Sequence, residues 1–496
     1  MTEQTATPSD PGPQHIVLYG SGLAAQMTAA ALAHQAPASL RITWLGGSDA
    51  SATDVFYGSV TPPSAYDFNL AAGVSEPQLV LQSNTAFSFG TLYKDWGLDR
   101  ASWAQTFQLP FPILEGVPFQ HYLTQQAIYE IEPYLASAVA GRRGVFAHPP
   151  EGQGHALSRA EYGYQIEASS YGAVFERAAS GRVTKLAAAV TRIDQAAGEI
   201  NALHLADGQR LTADLYVDCS GPEAQLISTL GVPFNGDRRL GALADFTLRA
   251  ELGAPLRTVT GDAFGWSAET TLQGKVARLV VFDPDSEDQA RQAHEESAAL
   301  QTELTLGHHD CAWSGNCVAI GQAAAVVEPV TPAPLILLQR DIQRLLNLLP
   351  VSRRMSVERK AFNRGYVDDY QHAGLFNRAL FEGFDFPDTP YWHAARLAPV
   401  DERLTAKIEQ FESRGLHVAF DLEPFTPEDW IILHYGMGRR PARHDRVVDR
   451  ASREKVAQYL LCMRRDIDQA VNSMPSHSTY MQGLARFLKQ QSLVTP

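Results

Sequence analysis

Short apolar runs that end in glycine alternate along the chain with stretches of helical spacing. The first apolar run, 15–19, stops at Gly20, and a helix-forming stretch over 26–34 precedes a second apolar run at 40–45. A run that is apolar at every position is typical of a parallel strand covered on both faces. The order strand, turn, helix, strand within about 30 residues predicts a βαβ unit.

Two later strands also end in glycine. The segment 200–219 is typical of a hairpin about Asp207-Gly208 whose second arm ends before Gly221, and another apolar run stops at Gly321. The three glycine-terminated strands are separated by long stretches of chain. This spacing predicts a βαβ module with large insertions.

The insertions, at about 60–180 and 225–310, contain alternating apolar and polar runs such as 246–252 and 276–282. Such alternation predicts a second, mostly antiparallel sheet. Beyond about 335 helical patterns dominate, at 335–349, 404–413 and 453–473. We therefore predict an α/β fold with three parts: a disordered N-terminus over 1–14, a doubly wound module with the inserted sheet over 15–345, and a helical region over 346–496.

The first glycine turn has the chemistry of a dinucleotide site. Gly20 permits a sharp turn, Gly22 lets the backbone approach a pyrophosphate, and the small Ala25 lets helix and strand pack closely. The helix N-terminus would offer its unpaired N–H groups to the anion. An acid that binds the ribose is expected near position 46 but is absent there, so either Asp49 reaches back or the ribose is held in another way.

Composition narrows the class of protein. The 496 residues include 41 basic and 55 acidic side chains, a net charge of −14 that argues against a nucleic-acid partner. No apolar stretch reaches the roughly 18 residues that span a membrane. Four scattered cysteines indicate a reducing cytoplasm. The spacing of His308, His309, Cys311 and Cys317 fits no zinc pattern, so we expect no metal.

Several motifs, in this order, resemble the flavin-dependent tryptophan halogenases. The resemblance rests on the segments 20–27, 213–221 and 316–329, and continues through Tyr391-Trp392, 407–409, 413–415 and 474–477. It implies an FAD module interleaved with a substrate-side sheet, and a separate flavin reductase as the source of reduced flavin. The positions implied to bind FAD are Gly20, Gly22, Leu23, Ala24, Ala25, Val190, Ile320, Gly321 and Leu335.

Two residues that halogenases use are replaced. The family's active-site lysine lies eight residues before a tryptophan, and the matching position before Trp96 is Ser88, which has no amine to carry a halogen. Lys94 lies six residues further on and is a poor substitute. The family also places a glutamate after a Glu-Pro pair, where this chain has Thr331. Glu328 matches the structural acid of that pair, and we interpret it as a loop acid.

These replacements favour an FAD-dependent monooxygenase that uses a flavin hydroperoxide on an electron-rich substrate. The substrate would be a small aromatic molecule or a tryptophan side chain of a polypeptide, and a homodimer is possible. A halogenase with a rearranged relay and a non-catalytic flavin-binding or scaffold protein remain as alternatives. Six tryptophans are assigned to the core rather than to a substrate tunnel: Trp96, Trp103, Trp266, Trp313, Trp392 and Trp430.

Overall fold

The fold is taken from a computed structural model. It describes residues 12–47, 52–96, 102–150, 152, 154–293, 300–383, 387–397 and 400–492. Within these residues the strands are β1 His15–Tyr19, β2 Arg41–Leu45, β3 Ala86–Ser88, β4 Gly90–Lys94, β5 Trp103–Thr106, β6 Ile113–Leu114, β7 Val117–Pro118, β8 Gly163–Gln165, β9 Thr184–Leu186, β10 Val190–Ala196, β11 Glu199–Leu205, β12 Arg210–Leu211, β13 Leu215–Asp218, β14 Phe234–Leu248, β15 Arg257–Asp262, β16 Gly265–Leu272, β17 Lys275–Phe282, β18 Leu300–His309, β19 Trp313–Ser314, β20 Cys317–Ala319 and β21 Ala325–Val326.

Helices alternate with these strands in the first part of the chain and dominate the last. They are α1 Gly22–Gln35, α2 Ala65–Ala71, α3 Glu76–Gln82, α4 Gln120–Gln125, α5 Ala136–Arg142, α6 Ala168–Ala179, α7 Glu287–Ala293, α8 Ala333–Asn347, α9 Ser356–Ala379, α10 Pro390–Leu397, α11 Glu402–Arg414, α12 Pro427–Gly436, α13 Arg453–Asn472 and α14 His477–Ser492. None of these described helices is both long and apolar enough to cross a membrane.

A six-stranded sheet carries the predicted βαβ unit. Its order is β19-β20-β13-β1-β2-β9, and all neighbours except β19 and β20 are parallel. Every residue of β1 is buried, as the unbroken apolar run predicts. Since β1 lies between β2 and β13, the strand order reverses at its carboxyl end, which is where open α/β sheets bind ligands.

The predicted hairpin is only half correct. β11 and β12 do pair about the turn at Asp207-Gly208, but the second arm stops at Leu211. β13 then joins the parallel sheet beside β1. Asp214 explains the change of sheet, because its carboxylate accepts hydrogen bonds from the backbone N–H groups of Gln14 and His15 and so holds the chain against the start of β1.

The second sheet has eight strands in the order β21-β18-β14-β17-β16-β15-β4-β5. It is antiparallel except for the pairing of β4 with β15. The first part of the chain thus supplies β4 and β5, and the second insertion supplies the remaining strands except β21. The prediction of a parallel module interleaved with a mostly antiparallel sheet and followed by a helical region is confirmed.

Most tryptophans lie in one hydrophobic core behind this second sheet. The core includes residues from the C-terminal helices α9, α10, α11 and α12. Five of the six singled-out tryptophans belong to it, and the sixth lies in the core of the parallel sheet: Trp96, Trp103, Trp266, Trp392 and Trp430, and then Trp313. All six are at most 4% exposed, so the assignment to the core is confirmed.

Candidate flavin and substrate site

The first glycine turn lies at the carboxyl end of β1, as predicted. Gly20 has φ +139°, and a Cβ there would lie 2.1 Å from the carbonyl oxygen of Cys219. Gly22 has φ +80°, a conformation that favours glycine. The Trp44 indole N–H donates to the carbonyl of Gly20 at 2.9 Å and holds the turn in place.

The N-terminus of α1 binds an anionic oxygen in this structure. The Leu23 N–H donates to Oδ2 of Asp54 at 2.9 Å. A Cβ on Gly22 would lie 2.7 Å from the same oxygen, so only glycine leaves room for it. Asp54 is 6% exposed. Its carboxylate therefore stands where a pyrophosphate oxygen is expected, and the turn fits the phosphate of a dinucleotide.

The second glycine turn, at Gly321, is covered by the same part of the chain. The Tyr57 hydroxyl accepts a hydrogen bond from the Gln322 N–H at 3.0 Å, and the Gln322 side-chain amide donates to the carbonyl of Thr53 at 2.9 Å. Burial raises the pKa of Tyr57 well above its usual range, so this hydroxyl stays protonated. The segment 53–57, which we call the cover segment, joins the two turns.

The remaining FAD positions fall into two groups. Leu23, Ala24, Ala25, Ile320 and Leu335 belong to one buried core beside the two turns. Val190 begins β10 in a separate three-stranded sheet and is partly buried against that core. Asp49, the candidate ribose acid, lies outside the described residues. Sequence patterns gave no sign of Asp54 or Tyr57, because the cover segment has neither helical nor strand periodicity.

A cavity of about 760 Å³ lies between β4, β5, α2, α8 and the start of α12. Tyr93 and Phe107 line it from the sheet side, with Phe68 on α2 and Phe376 on α9. The rings of Phe376 and Phe425 stack with centroids 3.7 Å apart. A cavity of this size with aromatic walls suits a small aromatic molecule.

Ser88 is fully buried at the end of β3. Its hydroxyl donates to the carbonyl of Gly90 and accepts from the N–H of Gly90, both at 3.1 Å. Gly90, rather than Ser88, lines the cavity. The side chain that the sequence resemblance matches to the halogenase lysine is therefore a hydroxyl whose hydrogen bonds stay within its own turn.

Three consecutive carbonyl groups of the turn before α8 accept hydrogen bonds from buried side chains. The Glu328 carbonyl accepts from the Asn377 amide at 3.0 Å, the Pro329 carbonyl from Arg257 at 2.8 Å, and the Val330 carbonyl from the Tyr93 hydroxyl at 2.9 Å. The turn is consequently fixed against β4, β15 and α9.

The first turn of α8 offers no free N–H group. Thr331 Oγ1 accepts the Ala333 N–H at 3.2 Å and donates to the Asn377 amide oxygen at 2.5 Å. Pro334 has no N–H, and the Leu335 N–H is donated to the carbonyl of Pro332 at 3.1 Å. A helix N-terminus binds an anion through such N–H groups, and here each one is absent or used.

Glu328 is a loop acid, as interpreted from the sequence, and the structure shows the contacts that it makes from this loop. Its carboxylate accepts the Trp266 indole N–H at 2.7 Å and the Tyr391 hydroxyl, and Arg238 lies 3.9 Å away. The residue is 7% exposed. Glu328 thus ties β16 to α10 behind the turn, and Asn377 holds its backbone.

The comparisons with known proteins agree with this architecture. The model of the family described as tryptophan halogenase matches residues 15–453. Among solved structures, a flavin-dependent halogenase from Brevundimonas sp. BAL3, called BrvH, is similar with a TM-score of 0.87 and 26% identity, over 96% of this chain and all of that one. A flavin-dependent halogenase from Xanthomonas campestris, called Xcc4156, is similar with a TM-score of 0.87 and 25% identity, over 95% and 98% of the two chains.

Curated relatives give the same result. Tryptophan 7-halogenase KtzQ from Kutzneria sp. (strain 744) is 24% identical over 459 residues, which are 84% of this chain and 84% of that protein. The family match extends from the first strand of the βαβ unit into the C-terminal helices, and the similar structures cover the same elements. The chain belongs to the tryptophan halogenase family.

Proposed function

We propose that this protein is an FAD-dependent monooxygenase that oxygenates an electron-rich aromatic substrate without using halide. When bound, reduced FAD would reduce molecular oxygen, so that one oxygen atom enters the substrate and the other leaves as water. The observation that carries the proposal is Ser88, because a buried hydroxyl bonded to Gly90 takes the position of the halogen-carrying amine. The proposal starts from the family's flavin-dependent members and follows from the residues in which this chain departs from them.

The FAD would be held by the two glycine turns. The α1 N-terminus would bind the pyrophosphate in place of Asp54, and the turn at Gly321 would approach the cofactor after the cover segment moves. The residues that we assign to this site are Gly20, Gly22, Leu23, Ala24, Ala25, Val190, Ile320, Gly321 and Leu335.

The α8 turn supports a reaction without halide. A chloride or bromide ion would need N–H donors at the helix start, and the hydrogen bonds of Ala333 and Leu335 together with the ring of Pro334 leave none. Thr331 has no charge with which to take a proton from an aromatic carbon. The start of α8 therefore has neither a free N–H group for a halide nor a basic side chain at Thr331.

The cavity supports the same conclusion. Its lining residues all lie in the described part of the chain, and none of them is a lysine. Lys94, the nearest alternative in sequence, is exposed at the end of β4. A hypohalous acid would thus meet no ammonium group along this wall.

A separate flavin reductase would supply reduced FAD, since the sequence contains one dinucleotide fingerprint. The substrate would be a small aromatic molecule or a tryptophan side chain of a polypeptide that reaches the cavity. A homodimer in the cytoplasm is the assembly we propose.

The test combines an isotope and a halide in one reaction. The purified protein is supplied with FAD, a flavin reductase, NADH and oxygen-18 gas, and is given a panel of indoles and phenols in the presence of bromide. We expect one heavy oxygen atom in the product and no bromine. A brominated product would contradict the proposal, and a Ser88→Ala variant that keeps activity would confirm that this hydroxyl takes no part.

A further inference from the structure

The charges around the aromatic cavity are predominantly negative. Asp67, Glu161 and Asp429 line it, and Arg340 is the single lining residue with a positive charge. The Arg340 guanidinium pairs with Asp369 at 2.7 Å. The cation is therefore already paired, although it shares Asp369 with Arg344, whereas the carboxylates of Asp67, Glu161 and Asp429 have no basic partner among the lining residues.

Of the acids that line the cavity, Glu161 has the surroundings most typical of a site that binds a cation. Burial, and after it the charges of Asp429 and Glu428, raise the pKa of its carboxyl. No hydrogen bond from a described residue reaches this carboxylate. Burial and Glu428 likewise raise the pKa of Asp429, to about 6, against the hydrogen bonds from Thr426. A cation placed here would reduce the repulsion among Glu161, Glu428 and Asp429.

A buried amide in the same cavity also lacks a partner. Gln105 is 8% exposed, and its side-chain amide donates to the carbonyl of Asp429 at 3.0 Å. Its Oε1 accepts nothing from the described residues. A buried acceptor without a donor costs free energy unless a ligand supplies one. The hydroxyl of Thr91, directly opposite Gln105 in the β4–β5 pair, is buried without a partner as well.

The missing partner must donate hydrogen bonds and carry positive charge. An ammonium group does both, and it has three N–H donors. A carboxylate would be repelled, because it would meet three acids and a guanidinium that is already paired. Aromatic walls formed by Tyr93, Phe107 and Phe425 would hold the rest of the molecule.

We propose that the cavity selects an aromatic compound that carries a cationic amino group and no carboxylate, with the ammonium bound by Glu161 and Gln105 Oε1. This inference rests on the proposed function, because it names the substrate class of the same site. It distinguishes the chain from an enzyme that acts on a free aromatic amino acid.

The test measures binding by calorimetry with the full-length protein, so that no turnover is needed. The probes are tryptamine and phenethylamine, each compared with its neutral alcohol, tryptophol or 2-phenylethanol, and with tryptophan. We expect each amine to bind about tenfold more tightly than its alcohol, as one charged hydrogen bond implies. Tryptophan should bind more weakly than tryptamine.

Two variants assign the effect to one residue. Glu161→Gln should abolish the preference for the amine, and Glu409→Gln, at an exposed acid of α11 that does not line the cavity, should retain it. Because burial and neighbouring acids disfavour the Glu161 charge, Glu161→Gln should fold with an unchanged or higher melting temperature.

The proposal is overturned if no amine binds more tightly than its matched alcohol, including the case in which none of the probes binds. It is also overturned if Glu161→Gln keeps the preference. A failed preference together with heavy oxygen in a product would leave the oxygenation intact and remove only this substrate class. A retained preference together with a brominated product would leave this substrate class intact and remove the oxygenation.

Discussion

At the scale of single residues, two side chains of the site stand at positions where a different chemical group is expected. Asp54 puts a carboxylate at the helix end expected to bind a pyrophosphate, and Ser88 puts a hydroxyl at the position that the sequence resemblance matches to the family's lysine. The second replacement is visible in the sequence because a motif fixes its position relative to Trp96. The first is not, because Asp54 lies in a segment without periodicity and meets Leu23 only in the folded chain.

Asp54→Asn should strengthen FAD binding. The substitution keeps the shape of the side chain and removes the negative charge that competes with the pyrophosphate, so the dissociation constant should fall by about threefold to tenfold. Quenching of flavin fluorescence measures this change. The same variant should lower the free energy of unfolding without flavin by about 1 kcal/mol, because the α1 N-terminus loses its charged partner.

Asp67→Asn serves as the control, since Asp67 lies on α2 and does not reach the α1 N-terminus in this structure. An Asp54→Asn protein that binds FAD more weakly than the control would show that the carboxylate belongs to the flavin site and does not compete with it.

At the scale of elements, the parallel strands follow directly from the sequence. The apolar run at 15–19 is β1 and the run at 40–45 contains β2, because burial on both faces leaves a continuous signal. The long helix α9 was not among the helices predicted one by one, although its buried residues Phe362, Tyr366 and Ala373 recur at helical spacing. The buried Asp369 within that stripe interrupts the apolar signal. The second arm about Gly208 was predicted to run unbroken to the glycine at 221, but it divides into β12 and β13, because only the tertiary contacts of Asp214 reveal where the hairpin ends.

The start of α8 gives a prediction at this scale. Thr331→Val should lower the free energy of unfolding by about 1–2 kcal/mol, because the Ala333 N–H loses its acceptor and the buried Asn377 amide loses a partner. Urea denaturation measures the change. Thr331→Ser keeps the hydroxyl and should remain close to the parent protein. Equal stability of all three proteins would mean that the hydroxyl does not cap the helix.

At the scale of the whole molecule, the fold class was predictable and the site was only partly so. Glycine-terminated strands and alternating runs predict a parallel module with an inserted sheet, since both patterns are local. The cavity is not local: Gln105 on β5 and Asp429 on α12 meet across more than three hundred positions of sequence. Nor could sequence patterns connect Trp266 and Tyr391 to Glu328.

The absence of a halide site before α8 is the central claim, and anomalous diffraction tests it most directly. Crystals of the FAD-loaded protein are soaked in bromide, and the anomalous signal is measured at the bromine absorption edge. We predict no peak within hydrogen-bond distance of the backbone from Ala333 to Leu335, because each N–H group there is absent or already donated. An ordered bromide at that turn would contradict the account and would indicate that the protein transfers halogen.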